Sequence, residues 1–214
     1  MILHLENESN RNYKITGTSG EHLGEIKFLS TERNGIGLEA HLKDGNFKME
    51  IPPLFGSKTR KNDVLKQEAG LCIINGLLCK IYYCTKKGSN FINGIYYWEL
   101  KHCNDVYRFY EVGLKKKGIY LCVYRNDELV AIVSKTMKTR HFSGSYEIYA
   151  KNDVSVEILL LFSSYWDITR WMEVESCSVN HVLNTWQKEL KEKHDENFIL
   201  EIKKMHGIKS ITHD

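Results

Sequence analysis

Short apolar runs separated by turn residues occupy the chain from Tyr13 to Ala150. YKITGTS (13–19) and LGEIKFLS (23–30) flank Gly20, while GIGLEAHL (35–42) and NFKMEI (46–51) flank Asp44-Gly45, a strong hairpin dipeptide. Pro52 and Pro53 end the fourth run, because neither can donate to a sheet ladder. The polar, basic stretch GSKTRKNDVLKQE (56–68) reads as the longest loop, with room for one helical turn. The rhythm then resumes through LCIIN (71–75), LLCKIYYCT (77–85), GIYYWELKH (94–102), VYRFYEVGL (106–114), IYLCVYR (119–125), ELVAIVSKT (128–136) and GSYEIYA (144–150).

About eleven extended runs result, at the spacing typical of antiparallel sandwiches and barrels. In VYRFYEV, Val106, Arg108, Tyr110 and Val112 oppose Tyr107, Phe109 and Glu111. In LVAIVSK, Leu129, Ala131 and Val133 oppose Val130 and Ile132. Runs apolar on both faces predict strands covered above and below.

At Asp153 the period changes. Asn152 or Asp153 can cap a helix, Glu157 suits its first turns, and neither Gly nor Pro interrupts Val154 to Trp171. Apolar residues cover almost every face of this segment, which therefore belongs either in a membrane or inside protein. Glu157 and Asp167 leave too short an uncharged stretch to cross a bilayer. The prediction is a mainly β chain in which a closed antiparallel barrel wraps a central hydrophobic helix at 154–171, since closure removes edges and leaves an interior to fill. Residues 1–172 form this barrel, and 173–214 form a helical extension. In the extension Val179, Val182, Leu183, Trp186 and Leu190 follow helical spacing, with Lys and Glu on the other face, and predict an amphipathic helix. FILEIKK (198–204) continues it or forms a last strand.

Composition adds little to this picture. Thirty Lys+Arg against 27 Asp+Glu give a formal charge of +3, short of the basicity that marks many nucleic-acid binders. The aromatic and basic stretch at 81–101 is consistent with a single-strand surface, but in a barrel half of its rings face inward. Nucleic acid is therefore not the expected partner. Six cysteines without a CxxC pair, in a chain that opens without a leader pattern, predict free thiols in a reducing cytoplasm. No zinc spacing, HExxH, P-loop, GxGxxG or GxSxG occurs. His141 near Ser143 and Ser145, and Cys103 beside His102, are the nearest approaches to a nucleophile with its base. Neighbouring strand residues point to opposite faces, so neither makes a catalytic pair. No enzyme, metal or cofactor is expected.

Residues 107–171, from YRFYEVGLKKKGIYLCVYRNDELVAIVSK through the apolar segment to YWDITRW, resemble the bacterial tubby C-terminal-like domain of the tubby, LURP-one and scramblase superfamily. The likeness lies in consecutive hairpins with charged turns, followed by an apolar helix ending in the aromatic-Asp step Tyr165, Trp166 and Asp167. It implies a closed barrel of about 12 strands around the helix. By fold-level analogy it also implies recognition of an anionic lipid headgroup. The tail from Ser178 lies outside the likeness.

The function expected is thus a non-catalytic cytoplasmic binding module. Lysines at hairpin ends, Lys86, Lys87, Lys115, Lys116, Lys117, Lys135 and Lys138, form its candidate anion patch on one rim. The alternative is a protein-interaction or oligomerisation module acting through Val182, Leu183, Trp186 and Leu190.

Overall fold

Alternating inward and outward side chains set the architecture. In the computed structural model, residues 1–9, 12–30, 36–43, 45–51, 58–61, 63–86, 94–135, 138–139, 144–170, 179–180 and 183–208 are described. The strands are β1 (Ile2–Ser9), β2 (Asn12–Gly17), β3 (His22–Ser30), β4 (Ile36–Leu42), β5 (Asn46–Ile51), β6 (Lys58–Lys61), β7 (Val64–Ile74), β8 (Leu77–Lys86), β9 (Ile95–His102), β10 (Asp105–Gly113), β11 (Ile119–Arg125), β12 (Glu128–Lys135), β13 (Lys138–Thr139), β14 (Ser145–Ala150) and β15 (Val179–Asn180). The helices are α1 (Val156–Arg170), α2 (Lys188–Lys191) and α3 (Glu196–Met205).

All of these strands except β6, β13 and β15 form one closed, antiparallel, twelve-stranded barrel. Each pairs with its sequence neighbour, β14 returns to β1, and β5 pairs with β7 to skip over β6. β7 makes this closure possible by dividing its length. Val64–Gln67 pair with β6, and Leu71–Ile74 pair with β5. Two-residue turns punctuate the meander. Asn75-Gly76 and Asn126-Asp127 both place consecutive residues at positive φ, matching the right-handed twist of the flanking strands.

A barrel of this girth cannot be filled by its own side chains, and α1 fills it. Every residue from Ile158 to Ile168 is buried. Phe162 stacks on Phe109 of β10, and Leu159, Leu161 and Trp166 join the inward-facing Leu5, Ile15, Ile26, Leu38, Met49, Ile81 and Ile148 in one cluster. The hydroxyls of Ser163 and Ser164 are satisfied by the carbonyls of Leu159 and Leu160, at 2.7 and 2.9 Å.

Three expectations are corrected. Ile2–Ser9, ahead of the extended runs read from Tyr13 onward, is a barrel strand, with Leu3 and Leu5 inward. The 56–68 stretch carries β6 and the start of β7 where a loop was expected. The C-terminal amphipathic helix is present, but it runs from Glu196 to Met205, capped by the Asp195 carboxylate on the Asn197 amide at 2.9 Å. Within the stretch expected to be helical, Val179–Asn180 form β15, Val182 lies outside the described residues, and Leu183–Gln187 are extended, with Asn184 bridging Leu114. Val179, Thr185 and the asparagines at 180 and 184 are weak helix formers, and their backbone finds strand partners instead, 179–180 on β13 and 183–185 at the open end of β10.

The C-terminal segment is a cover on the outside of the barrel. Leu190, Phe198 and Ile202 share a buried cluster with the outward-facing Ile2, Tyr97, Tyr110, Val112, Cys122, Ile132 and Tyr149. Lys193 places its ammonium over the rings of Tyr110 and Tyr124, at 5.0 and 4.8 Å.

Candidate functional site

Alternate hairpins of an up-and-down barrel open at the same end. The β8–β9, β10–β11 and β12–β14 connections therefore share one mouth, and α1 terminates there. Two groups of side chains converge on its last turns.

The first is a polar box between α1 and the β12, β14, β1 and β2 wall. Asp167 accepts hydrogen bonds from the hydroxyl of Tyr13 at 2.8 Å, from the hydroxyl of Tyr146, and from Asn7 Nδ2 at 3.4 Å. Lys135 Nζ donates to the Tyr146 oxygen at 2.9 Å and lies 3.9 Å from Asp167 Oδ1. Gly144 lets the chain pass close to this carboxylate, since a Cβ there would come within 3.2 Å of Asp167 Oδ1. Burial lowers the Lys135 ammonium from the usual lysine range, opposed by the Asp167 charge, and burial raises the Tyr146 phenol well above its ordinary value.

The second is an open cleft of about 650 Å³ between the barrel wall, the end of α1 and the Leu183–Leu190 strap. Tyr83, Tyr96 and Trp98 face it from β8 and β9, and Tyr165 and Arg170 from α1. Tyr83 stacks with Tyr96 at 6.0 Å between ring centres, and Tyr165 meets Trp98 edge-on at 6.2 Å. Glu111, inward from β10, accepts from Trp166 Nε1 at 2.6 Å and from Arg170 Nε at 3.3 Å. Both carboxylate oxygens are thus engaged, and the guanidinium is oriented from one edge. Arg170 is 53% exposed and sits where a cation suits the helix dipole. Trp186, 77% exposed, stands on the strap beside the cleft.

The strap is held by backbone pairing to the end of β10. Gly113 donates to Thr185 Oγ1 at 2.8 Å, the Thr185 amide donates to the Gly113 carbonyl at 2.9 Å, and the Lys115 amide donates to the Leu183 carbonyl at 3.0 Å.

The predicted lysines separate on this frame. Lys115–Lys117 form an exposed 3₁₀ turn between β10 and β11, with Lys115 Nζ 5.9 Å from the Trp186 ring centre and Lys117 paired to Glu196 at 3.6 Å. Lys86 is exposed at the end of β8. Lys138 pairs its backbone with Asn180 in β13, and Lys87 lies outside the described residues. Lys135 is corrected: it is 3% exposed and faces the barrel interior, so it belongs to the polar box and to no surface patch. Of the predicted partner-binding residues, Leu190 is buried against the barrel and Leu183 packs on its core, leaving Trp186 open to solvent.

His141 and Ser143 also lie outside the described residues, while Cys103 is exposed in the β9–β10 turn at positive φ. Burial raises the thiols of Cys72, Cys79, Cys84 and Cys122, that of Cys84 to about 11, which leaves them poor nucleophiles at neutral pH. Among the described residues, no group of three or more His, Cys, Asp or Glu could hold a metal ion, and no helix is long and apolar enough to cross a membrane. Compared with known proteins, the chain matches no family model, no curated protein and no solved structure, so nothing there identifies a tubby-like family.

Proposed function

We propose that this chain is a non-catalytic binding module that recognises an anionic ligand at the barrel mouth where α1 ends, with an anionic lipid headgroup as the ligand class. The observation that carries this reading is the exposed Lys115–Lys117 turn beside an open aromatic cleft. Among the described residues, neither Lys115 nor Lys116 has an acidic partner, so their charge is available to a phosphate. Lys86 adds charge on the same mouth. Membership of the tubby-like family belongs to this proposal and is supported by the barrel-around-helix form that the resemblance implied. Co-sedimentation with phosphatidylcholine vesicles, with and without phosphatidylserine, tests it. Binding should require the anionic lipid, weaken between low and physiological salt, and disappear when Lys115, Lys116 and Lys117 become Ala. Binding that ignores the substitution would dismiss the lysine turn.

Trp186 favours a second reading, a protein-interaction or assembly surface on the C-terminal segment, because a tryptophan 77% exposed is a common interface anchor. Light scattering on the full chain and on Trp186→Ser reads it. A mass above that of one chain, reduced by the substitution, supports assembly, and a single-chain mass for both excludes self-association.

A further inference from the structure

We infer that the cleft beside α1 is a site for a small acid with a flat or extended apolar body, its carboxylate or phosphate held by Arg170 and its body by the rings of Tyr83, Tyr96, Trp98 and Tyr165. The inference rests on the binding-module reading above and deepens it, by moving the recognising charge from the lysine turn to the helix end.

The chemistry of the lining selects this class. A cleft of about 650 Å³ is the size of an ordinary small-molecule site. The rings present edges and faces at differing tilts, Tyr83 nearly parallel to Tyr96 and Trp98 inclined at 60° to Tyr83, which suits an apolar body lying along the barrel wall. Among the described residues Glu111 supplies the only carboxylate in the lining, and both of its oxygens already accept hydrogen bonds. A cationic ligand would therefore have to displace Trp166 or Arg170. Arg170 is in the opposite condition. Among the described residues only its Nε is engaged, by Glu111, so both amino groups of the fork remain for a ligand. A guanidinium fixed through one edge and open on the other is the arrangement that accepts a planar carboxylate or a phosphate through paired hydrogen bonds. The C-terminal end of α1 disfavours an anion by itself, and Arg170, a cation favoured at that end, supplies the charge that offsets it.

A lipid entering by its headgroup and a free soluble acid share this chemistry, and the experiment separates them. The full-length chain is titrated calorimetrically with 2-naphthoate and decanoate, with their neutral counterparts 2-naphthalenemethanol and decanol, and then mixed with phosphatidylserine-containing vesicles. The acids should bind saturably at one site, about tenfold or more tighter than the alcohols, the scale of a charge-assisted pair. Arg170→Met should bring the acids down to the affinity of the alcohols while leaving the alcohols unchanged, and Arg170→Lys should recover only part. Tyr96→Ala, at a position 47% exposed and so tolerant of change, should weaken acids and alcohols together. Replacing Lys115–Lys117 by Ala should leave 2-naphthoate binding within about threefold while vesicle binding is lost. Acid binding without vesicle binding supports the cleft with a soluble source and ends the lipid reading. Vesicle binding without saturable binding of either acid overturns the cleft and leaves the lysine turn standing. Equal affinity for acid and alcohol, or an Arg170→Met chain indistinguishable from the parent, overturns the role of the guanidinium.

Discussion

Lys135 and Asp167 face one another across 3.9 Å inside the barrel, the lysine at the end of β12 and the aspartate in the last turn of α1. Their side chains are 1% and 5% exposed. The pair ties the central helix to the wall, and its two halves are not equivalent. The carboxylate also accepts from Tyr13, Tyr146 and Asn7, whereas it is the one acidic group that the ammonium faces among the described residues.

Removal of either partner should therefore have unequal effects. Asp167→Ala removes the carboxylate that faces a desolvated ammonium, leaving the Tyr146 hydroxyl beside it, and should cost about 3–5 kcal/mol. Lys135→Met keeps the apolar stem and leaves three neutral donors on the carboxylate, so the cost should be about 1–2 kcal/mol. Urea denaturation of both variants measures the difference. Equal losses would mean that the hydrogen bonds from Tyr13, Tyr146 and Asn7 contribute nothing to holding the Asp167 side chain in place.

Alkaline pH should unfold the chain. Burial raises the phenols of Tyr110, Tyr124 and Tyr165 to about 12, and those of Tyr97, Tyr146 and Tyr149 are also raised. Above about pH 10 the unfolded chain releases these protons while the folded chain keeps them, so stability falls as pH rises from there. Lys135 acts in the opposite sense. Its lowered ammonium pKa means that the unfolded chain holds more protons below about pH 10, and stability gains as pH climbs through that window. One lysine is outnumbered by six phenols, and the net result above pH 10 is loss. Phenolate absorbance should show only part of the 12 tyrosines titrating before unfolding, with the rest released cooperatively on unfolding. A single non-cooperative titration of all the tyrosines would contradict their burial.

The central helix was legible because no other place suits a segment apolar on every face, and the hairpins were legible from their turns. What escaped had a physical cause. Charges on Lys66 and Glu68 made the start of β7 look like loop, yet these side chains lie on the outer wall and pair with Glu99 at 2.5 Å and Lys80 at 2.9 Å. Lys135 resembled a hairpin-end lysine, although it stands two residues beyond Val133 on the face set by Ala131 and Val133, and the strand alternation already pointed it inward. Leu3 and Leu5 carried the same kind of signal for β1. The cleft had none, because Glu111, Arg170 and Trp186 meet only after the barrel has closed and the strap has folded back on β10.

The outer cover distinguishes two aromatic residues of the C-terminal segment. Phe198 is 8% exposed and packs in the cluster with Tyr110 and Tyr149, whereas Trp186 is 77% exposed. Phe198→Ala should lower stability by about 3–4 kcal/mol, and Trp186→Ala should change it by less than about 0.5 kcal/mol. Thermal and urea melts of the two variants check the contrast. If Phe198→Ala were as mild as Trp186→Ala, α3 would not be bound to the barrel as described.

Gly113 is where the strap meets β10, and it is the position at which a single methyl group should separate the two. A Cβ there would lie 2.5 Å from the Leu183 carbonyl oxygen, too close for either backbone to stay in place. Gly113 does not have a positive φ, so Gly113→Ala adds a steric clash without backbone strain, and β10 keeps its ladder to β11. The bonds at risk are those between Gly113 and Thr185 and between Lys115 and Leu183. Their loss should cost about 1–3 kcal/mol. Hydrogen exchange at the Thr185 and Lys115 amides should accelerate while the amides of β10 and β11 facing each other remain protected. Because the strap is one wall of the cleft, 2-naphthoate binding should weaken in the same variant even though Gly113 does not line the cleft. Unchanged protection at Thr185 and Lys115 would mean that the strap does not rest on Gly113, and unchanged naphthoate affinity with lost protection would mean that the ligand sits deeper, against Tyr165 and Arg170 alone.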